Sequence, residues 1–396
     1  MIKNKNILML LQSQFPPDIR LEKEIKSLNE NGFNVTLFSN KFSHNFNTEV
    51  NYCKIVRPST FSFSNKFNRL INFPIFFNPK LIVKAIQAFK QSKANFIHAH
   101  DLPMVPIGIL LKKIFKVPLI FDMHENYPEA LKVFEKKGPI DRLLKNYNNA
   151  KRLEKYCLKK VDIIISVVEE NKERLLHEGV AENKLKIVSN SVDIQSFAIK
   201  ETNQEIIDKY KDRFVLLYSG LVGPERGLET PVKAMRILKD KFPRALLMIL
   251  GEGKAIPSLK EIVKEKGLED NVQFLKWVGH ENLNTYFTLS DVCIIPQPSN
   301  PFINTTIPHK MFEYMCKGKP LLVSDAIPLK RIITETKAGE YFESNNPNSF
   351  SESVVRMSSS DNNYGKNGIE AVKTKYNWEN DSKKLIELYT EMVKKK

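Results

Sequence analysis

Along the first half of the chain, short aliphatic and β-branched runs alternate with longer stretches of helical period. NILMLL (6–11) leads into RLEKEIKSLNENG (20–32), and VTLFS (35–39) into a loop-rich segment at 40–75. PKLIVKAIQAFKQS (79–92) precedes FIHAH (96–100), and MVPIGILLKKIF (104–115) precedes PLIFDMH (118–124). A basic helical stretch from Asp141 to Lys160 leads to VDIIISVV (161–168), and KLKIVSN (184–190) closes the half. Uninterrupted apolar strands separated by helices are the pattern of parallel strands buried on both faces. The expectation is a doubly wound α/β domain.

The pattern then begins again. FVLLYSG (214–220) is a strand that ends in glycine, ETPVKAMRILKDKF (229–242) a helix, and ALLMILGEG (245–253) a strand that ends in a glycine turn. NVQFLKW (271–277), DVCIIP (291–296) and PLLVSD (320–325) read as further strands, and MSSSDNNYG (357–365) as a loop. WENDSKKLIELYTEMVKKK (378–396) is one amphipathic helix. The domains expected are 1–195, 196–375 and a tail helix at 376–396, with the join near 193–212. Two such domains are expected to face each other across a cleft lined by strand ends, where open α/β sheets bind ligands. Chemistry is therefore sought near residues 13–20, 98–101, 122–127, 219–227, 251–253 and 296–313.

Composition narrows the class. A chain of 396 residues with 42% apolar content can bury two cores. The four cysteines, Cys53, Cys157, Cys293 and Cys316, have no C-x-x-C spacing and read as free thiols of a reducing cytosol. MIKNKNILMLL has too short an apolar run for a signal segment and reads as a first strand. No run approaches the ~18 apolar residues of a membrane span, so a soluble cytoplasmic protein is expected. The net charge of +16 is uneven: residues 1–200 hold 32 Lys and Arg against 19 Asp and Glu, and the remainder 29 against 26. That asymmetry is either a solubilising surface or a face for something anionic: a membrane leaflet, nucleic acid or a phosphorylated substrate. No nucleic-acid recognition module accompanies it, and no nucleic-acid partner is expected.

Three stretches carry candidate chemistry. In YSGLVGPERGLETPVKAM a strand ends at Gly220, and a loop with Gly223, Arg226 and Gly227 opens a helix. A helix start and an arginine make an anion site, although an ordinary strand–helix turn has the same spacing. Gly251, Glu252 and Gly253 allow close approach of a ligand to the backbone, or simply a tight turn. In TTIPHKMFEYMCKGKP (305–320) a helix opening after Pro308 puts Lys310, Glu313 and Tyr314 on one face, with Met311, Phe312 and Met315 inward. A cation at a helix N-terminus is unfavourable unless an anion joins it. One coherent reading sets Lys310 beside a diphosphate and Glu313 on ribose hydroxyls; a capped, solvated helix start is the other.

From Val215 to Gly339 these pieces resemble the donor domain of GT-B-fold retaining glycosyltransferases of the family-4 type. The resemblance rests on GLVGPERGL, LGEG, VQFLKWVGHENLNTYFTLSDVCIIP, HKMFEYMCKGKP and VSD…AGEYF, in that order and spacing. It extends more weakly through FPPDIRLEKEIKSLNENGFNVTLFS, HAHD and FDMHE, and the tail resembles a helix that crosses back onto the N-terminal domain. The resemblance implies transfer of a sugar from a nucleotide-diphosphate sugar, UDP-sugar favoured, with retention and without a metal. It implies Arg226 on the diphosphate, Glu313 on the ribose, Gly251, Glu252 and Gly253 near the nucleotide, Trp277 and Val278 beside the base, and His124 near the reacting sugar. Gly220, Gly223, Thr305, Thr306, His309 and Lys310 complete the donor set, with His124, Arg226 and Lys310 as catalytic residues. Arg20, His100, Asp101 and Glu125 form the acceptor side.

The chain departs from the pattern in three places. The first carboxylate of the family's E-x7-E falls at Thr305. A second phosphate-binding basic residue falls at Leu221, where Lys310 is the replacement. PPDIR stands where the family has Gly-Gly, which brings in Arg20. His98, His100 and His124 gather with Asp101, Asp122 and Glu125 at two strand ends, but without i, i+4 spacing or a D-x-D, so no metal is expected. Asp122 and Glu125 as a glycosidase pair is set aside, because a hydrolase needs no diphosphate clamp. The basic stretch 135–160, with Leu143, Leu144, Tyr147, Leu153, Tyr156 and Leu158, is read as a surface for an anionic leaflet. It would present a lipid-linked or glycan acceptor of surface polysaccharide synthesis at the inner face of the membrane. The alternatives kept are a nucleotide-sugar 2-epimerase and a non-catalytic nucleotide-sugar-binding homologue.

Overall fold

The computed structural model describes residues 5–39, 50–58, 79–133, 145–195, 201–359 and 362–394. The chain divides into two compact units, Met1–Asn190 with Glu379–Lys396, and Ser191–Trp378. In the first, the strands are β1 (Asn6–Leu11), β2 (Asn34–Ser39), β3 (Lys54–Val56), β4 (Phe96–His100), β5 (Leu119–Met123), β6 (Ile163–Ser166) and β7 (Leu185–Ile187). They form one parallel sheet in the order β3-β2-β1-β4-β5-β6-β7. In the second, β8 (Phe214–Ser219), β9 (Ala245–Leu250), β10 (Val272–Leu275), β11 (Val292–Ile295), β12 (Leu321–Ser324) and β13 (Gly339–Phe342) form a parallel sheet in the order β10-β9-β8-β11-β12-β13. Each sheet is doubly wound. The strand order reverses beside β1 and β4 in one unit and beside β8 and β11 in the other, the places where such sheets take ligands.

The expected strands are present because their side chains are buried on both faces. FIHAH and LIFDM bury every residue, as do ALLMIL, VCII and LLVS. The helix Ile19–Glu30 starts where Asp18 accepts a hydrogen bond from the Leu21 amide, closing one orphan donor of the first turn. The tail helix Trp378–Lys394 buries Leu385, Leu388 and Tyr389. Tyr389 packs edge-on against Phe96 at 5.6 Å and beside Phe33 at 5.3 Å. At the unit boundary the outgoing chain at Val192 pairs with the returning chain at Asn377.

Three expectations are corrected. The segment 40–75, expected as loop, contains β3, whose pairing to β2 (Leu37 opposite Ile55) supplies hydrogen bonds that a local reading cannot see. The expected loop 357–365 is shortened from both sides. The helix Pro347–Ser359 runs to Ser359 because Phe350, Val354 and Met357 are buried, and Ser358 and Ser359 donate to the Val355 carbonyl instead of breaking the helix. Within the basic stretch the helix Tyr147–Lys160 turns Ala150, Cys157 and Leu158 into the core, with Leu153 packed against it. Its apolar side therefore serves the fold, and among the named apolar residues that are described only Tyr156 stands clear, 51% exposed. Leu143 and Leu144 lie outside the described residues. No helix among the described residues is long and apolar enough to cross a membrane.

Glycine is required where the ends of β8 and β9 touch. Gly251 has φ +151°, and a Cβ there would overlap the Gly220 carbonyl oxygen. Gly251→Ala is expected to destabilise the second unit by about 3 kcal/mol, from overpacking and an unfavourable φ together. Gly267→Ala, at φ +58° with open space around it, should cost only about 1 kcal/mol. Urea denaturation of both variants checks the difference.

Candidate functional site

In the second unit the Gly-rich ends of β8 and β9 are stitched together by backbone. The amides of Gly220 and Val222 donate to the carbonyls of Leu250 and Glu252 at 2.9 Å, and the Ala255 amide donates to the Val222 carbonyl at 3.0 Å. A one-turn 3-10 helix, Pro224–Arg226, and a left-handed Gly227 (φ +69°) stand between β8 and the helix Glu229–Lys241. A Cβ at Gly227 would overlap the Pro296 carbonyl, so this turn is packed directly onto the end of β11. Arg226 lies here, its Nε 3.3 Å from Glu225 Oε1.

The helix Lys310–Cys316 delivers a second cation to the same place. Its Met311, Phe312, Tyr314 and Met315 are buried, which orients the remaining face. Lys310 Nζ donates to the Ser219 carbonyl at 2.6 Å and lies 3.9 Å from the centre of the Tyr218 ring. A Cβ on Gly220 would come within 2.9 Å of that nitrogen. The ammonium thus occupies the turn beside Leu221, whose own side chain is 59% exposed. Loss of hydration, then repulsion from Arg226, pulls the Lys310 pKa down to about 7, against the pull of Glu313. Two cations are thus held close together, with Glu225 beside Arg226 and Glu313 acting on Lys310.

One turn on, His309 Nδ1 and Glu313 Oε1 are 2.7 Å apart, an imidazole N–H donating to the carboxylate. Tyr314 was missed as a site residue: its hydroxyl accepts from the Ser219 amide at 3.1 Å and so positions the strand end that Lys310 reads. Its i, i+4 relation to Lys310 was the available signal. Thr305 is buried, and its hydroxyl faces the carbonyls of Pro301 and Phe302, each at 3.0 Å, within its own turn. Thr306 caps the same turn in extended conformation. Trp277, 46% exposed, and Val278 follow the end of β10, and Glu252 is exposed beside Gly253.

The first unit gathers a denser set. His124, just past β5, has Nε2 2.8 Å from Asp122 Oδ2 and Nδ1 3.2 Å from Asp101 Oδ1. Burial and the Arg20 guanidinium favour its neutral form, but the two carboxylates outweigh them and push its pKa up to about 10. In the bare protein His124 is therefore a fixed hydrogen-bond donor, not a base. His98, His100 and His124 lie in near-parallel order, 4.4 and 5.5 Å between successive rings. Burial and the neighbouring His98 pull His100 down to about 4. Arg20 is bound to Asp18 at 3.3 Å, and the charges of Asp101, Asp122 and Glu24 all act on it. Glu125 stands on the turn leading into the helix Tyr127–Val133. Glu24 was not among the candidate residues, and Asp122 was named only in the metal cluster and the glycosidase pair that were set aside. Glu24 shares the helix face of Leu21 and Leu28, three residues one way and four the other, and that apolar register was the readable sign.

Residues 21–196 match the model of Glycosyltransferase Family 4, and residues 199–374 that of Glycosyl transferases group 1. The chain belongs to the family-4-like glycosyltransferases of GT-B fold. An uncharacterised glycosyltransferase of Methanocaldococcus jannaschii is 25% identical over 311 residues, 75% of each chain. Sucrose-phosphate synthase of Thermosynechococcus elongatus superposes with a TM-score of 0.78 at 18% identity, covering 99% of this chain and 100% of its own. The Anabaena protein HepE, solved in complex with UDP and glucose, superposes with a TM-score of 0.74 at 14% identity, covering 98% and 100%.

One residue of this glycosyltransferase holds a backbone conformation that its side chain opposes. Asp101 has φ 61° and ψ 155°, a region natural only to glycine, with its amide donating to the Asp122 carbonyl at 3.0 Å. Asp101→Gly and Asp101→Ala both remove the carboxylate from His124, and only glycine relieves the backbone. Asp101→Gly is expected to be more stable than Asp101→Ala by about 1 kcal/mol. Equal unfolding midpoints in urea would show that the strain is absent.

Proposed function

We propose that this glycosyltransferase moves a sugar from a nucleotide-diphosphate sugar, a UDP-sugar, to an acceptor hydroxyl, with retention at the anomeric carbon. The observation that carries the reading is the convergence of Arg226 and Lys310 on the glycine turn of β8, with Glu313 one helical turn away. Bond cleavage releases a nucleoside diphosphate, and fixed cations beside the phosphates stabilise the charge that develops there. The glycine turns let the phosphates approach the backbone, Glu313 accepts from ribose hydroxyls, and Trp277 and Val278 flank the base. No divalent cation is needed when two cations already face the diphosphate. The leaving phosphate itself helps remove the acceptor proton, which suits a first unit whose His124 is held protonated. HepE, of the same fold, binds UDP, which supports this choice of nucleotide.

Arg20, Asp101, His124 and Glu125 are proposed to orient the acceptor and the reacting sugar, with His100 buried beside them. The acceptor is a glycan or lipid-linked sugar of surface polysaccharide synthesis, and the enzyme works at the inner face of the membrane. What supports the membrane reading is a groove lined by Lys112, Lys113, Lys116, Lys160 and Tyr156, beside Ile114, which is 48% exposed. Lysines with exposed apolar residues among them are the chemistry of a surface that lies on anionic headgroups.

Calorimetric titration of UDP, GDP and ADP without metal tests the donor site. UDP is expected to bind, and Glu313→Ala and Lys310→Ala are each expected to weaken it by roughly 10- to 100-fold, the range of a hydrogen bond to a charged group. Because Lys310 titrates near 7 in the bare protein and the diphosphate raises it, binding above that pH takes up a proton. Affinity should therefore fall as pH rises from 7 to 9, and buffers of different ionisation enthalpy should give different apparent heats. Failure of all three nucleotides to bind would sink the assignment of Arg226 and Lys310. For the membrane reading, co-sedimentation with anionic vesicles at low salt is expected, and its loss in Lys113→Glu/Lys116→Glu. Absence of sedimentation by the wild type would remove it.

A further inference from the structure

We propose that Glu24, His98, His100 and Asp122 form a closed binding site for one divalent transition-metal ion of the zinc class, buried behind His124. The inference goes beyond the transferase reading and does not rest on it.

Glu24 comes from the first helix, His98 and His100 from β4 and Asp122 from β5, and all four are buried. Each offers one ligand atom, and these four atoms lie within 4.8 Å of one another. His98 Nε2 and His100 Nδ1 are 3.4 and 3.2 Å from Asp122 Oδ2. Ligands bound about 2.0–2.1 Å from a tetrahedral ion stand about 3.3 Å apart, so these pairs are already at coordination spacing.

The second observation is polar atoms without partners. Glu24 Oε2 and His100 Nε2 are buried with no hydrogen-bond partner among the described residues, and His98 Nε2 and His100 Nδ1 face Asp122 Oδ2 without good hydrogen-bond alignment. Buried polar groups left in this state are costly, and a native site holding several of them in one spot calls for a missing occupant. The remaining hydrogen bond of His98 says what kind. Its Nδ1 is 2.8 Å from the Tyr389 hydroxyl. With that nitrogen donating to Tyr389, Nε2 presents a lone pair to the cluster, the arrangement that orients metal-bound histidine. Two imidazole lone pairs and two carboxylates then point inward. A single water supplies only two protons to such a set, whereas a divalent cation satisfies all four and offsets both carboxylate charges. Two imidazoles with two carboxylates suit zinc, cobalt or nickel rather than magnesium or calcium. Four protein ligands and no open position make the site a structural one.

Such an ion would join the first helix to β4 and β5, with Tyr389 tying the tail helix to the same point. It would also hold Asp122, whose Oδ2 contacts His124 Nε2 at 2.8 Å. These donors come from three elements, which is why sequence spacing pointed away from a metal.

The test uses the tag-free full chain, stripped with chelator and reloaded with Co²⁺ as a probe. A visible ligand-field band of tetrahedral cobalt is expected, growing to one equivalent and displaced by Zn²⁺, with one zinc per chain kept after dialysis and a higher melting temperature. Glu24→Gln, which keeps the side-chain shape, should weaken Zn²⁺ binding at least tenfold, and His98→Gln should do the same. Wild type that shows no cobalt band and no thermal shift overturns the proposal even where a variant fails to fold. Binding of one equivalent unchanged in a folded Glu24→Gln and His98→Gln also overturns it, since the ion then sits elsewhere.

Discussion

A parallel strand cannot be joined to its neighbour by a hairpin, because the chain must cross back over the sheet before it can run the same way again. Every strand in a unit therefore ends on the same edge, and every loop that follows a strand is delivered there. The residues proposed to carry chemistry in this glycosyltransferase follow those strand ends: Arg226 after β8, Gly253 after β9, Lys310 after β11, Asp101 after β4 and His124 after β5. The reversal of strand order opens room beside β8 and β11 in one unit and beside β1 and β4 in the other. No residue need be near another in sequence to share that edge.

The two edges are built electrostatically for different tasks. In the second unit two cations are brought together and their mutual repulsion is left uncompensated, apart from Glu225 and Glu313 nearby. The cost shows in Lys310, which gives up much of its affinity for a proton. A site made this way suits an anionic ligand, such as the proposed diphosphate. In the first unit the charges are largely matched internally: Arg20 against Asp18, and His124 between Asp122 and Asp101. That arrangement fixes directions rather than inviting charge. It leaves His124 a poor base, in keeping with the proposed transfer, in which the leaving phosphate helps remove the acceptor proton.

Strain and packing at these edges follow the same logic. Gly220 and Gly251 are needed where two strand ends meet backbone to backbone, and Tyr314 pins Ser219 so that its carbonyl can hold Lys310. Asp101 pays in backbone conformation for a carboxylate placed on His124. Thr305 illustrates the opposite case. Where the family pattern carries a glutamate, this chain has a hydroxyl turned into its own 3-10 turn, so that no carboxylate stands at that position.

Much of this was readable along the chain. The alternation of apolar runs with helical period determined two doubly wound units, because burial of a strand on both faces demands uninterrupted apolar residues. The glycine turns and the face shared by Lys310, Glu313 and Tyr314 were legible, since i, i+3 and i+4 neighbours are fixed by helix geometry alone. What tertiary structure decided depends on contacts between distant segments. β3 exists because β2 offers it hydrogen bonds. Leu153 and Leu158 turn inward because a core is there to receive them, whereas by period alone the same stripe could have faced a bilayer. Glu24, His98, His100, Asp122 and Tyr389 meet across 365 residues of chain, from a helix, two strands and the tail. Spacing within one element carries no record of such a meeting, since register between elements is set only when their faces pack.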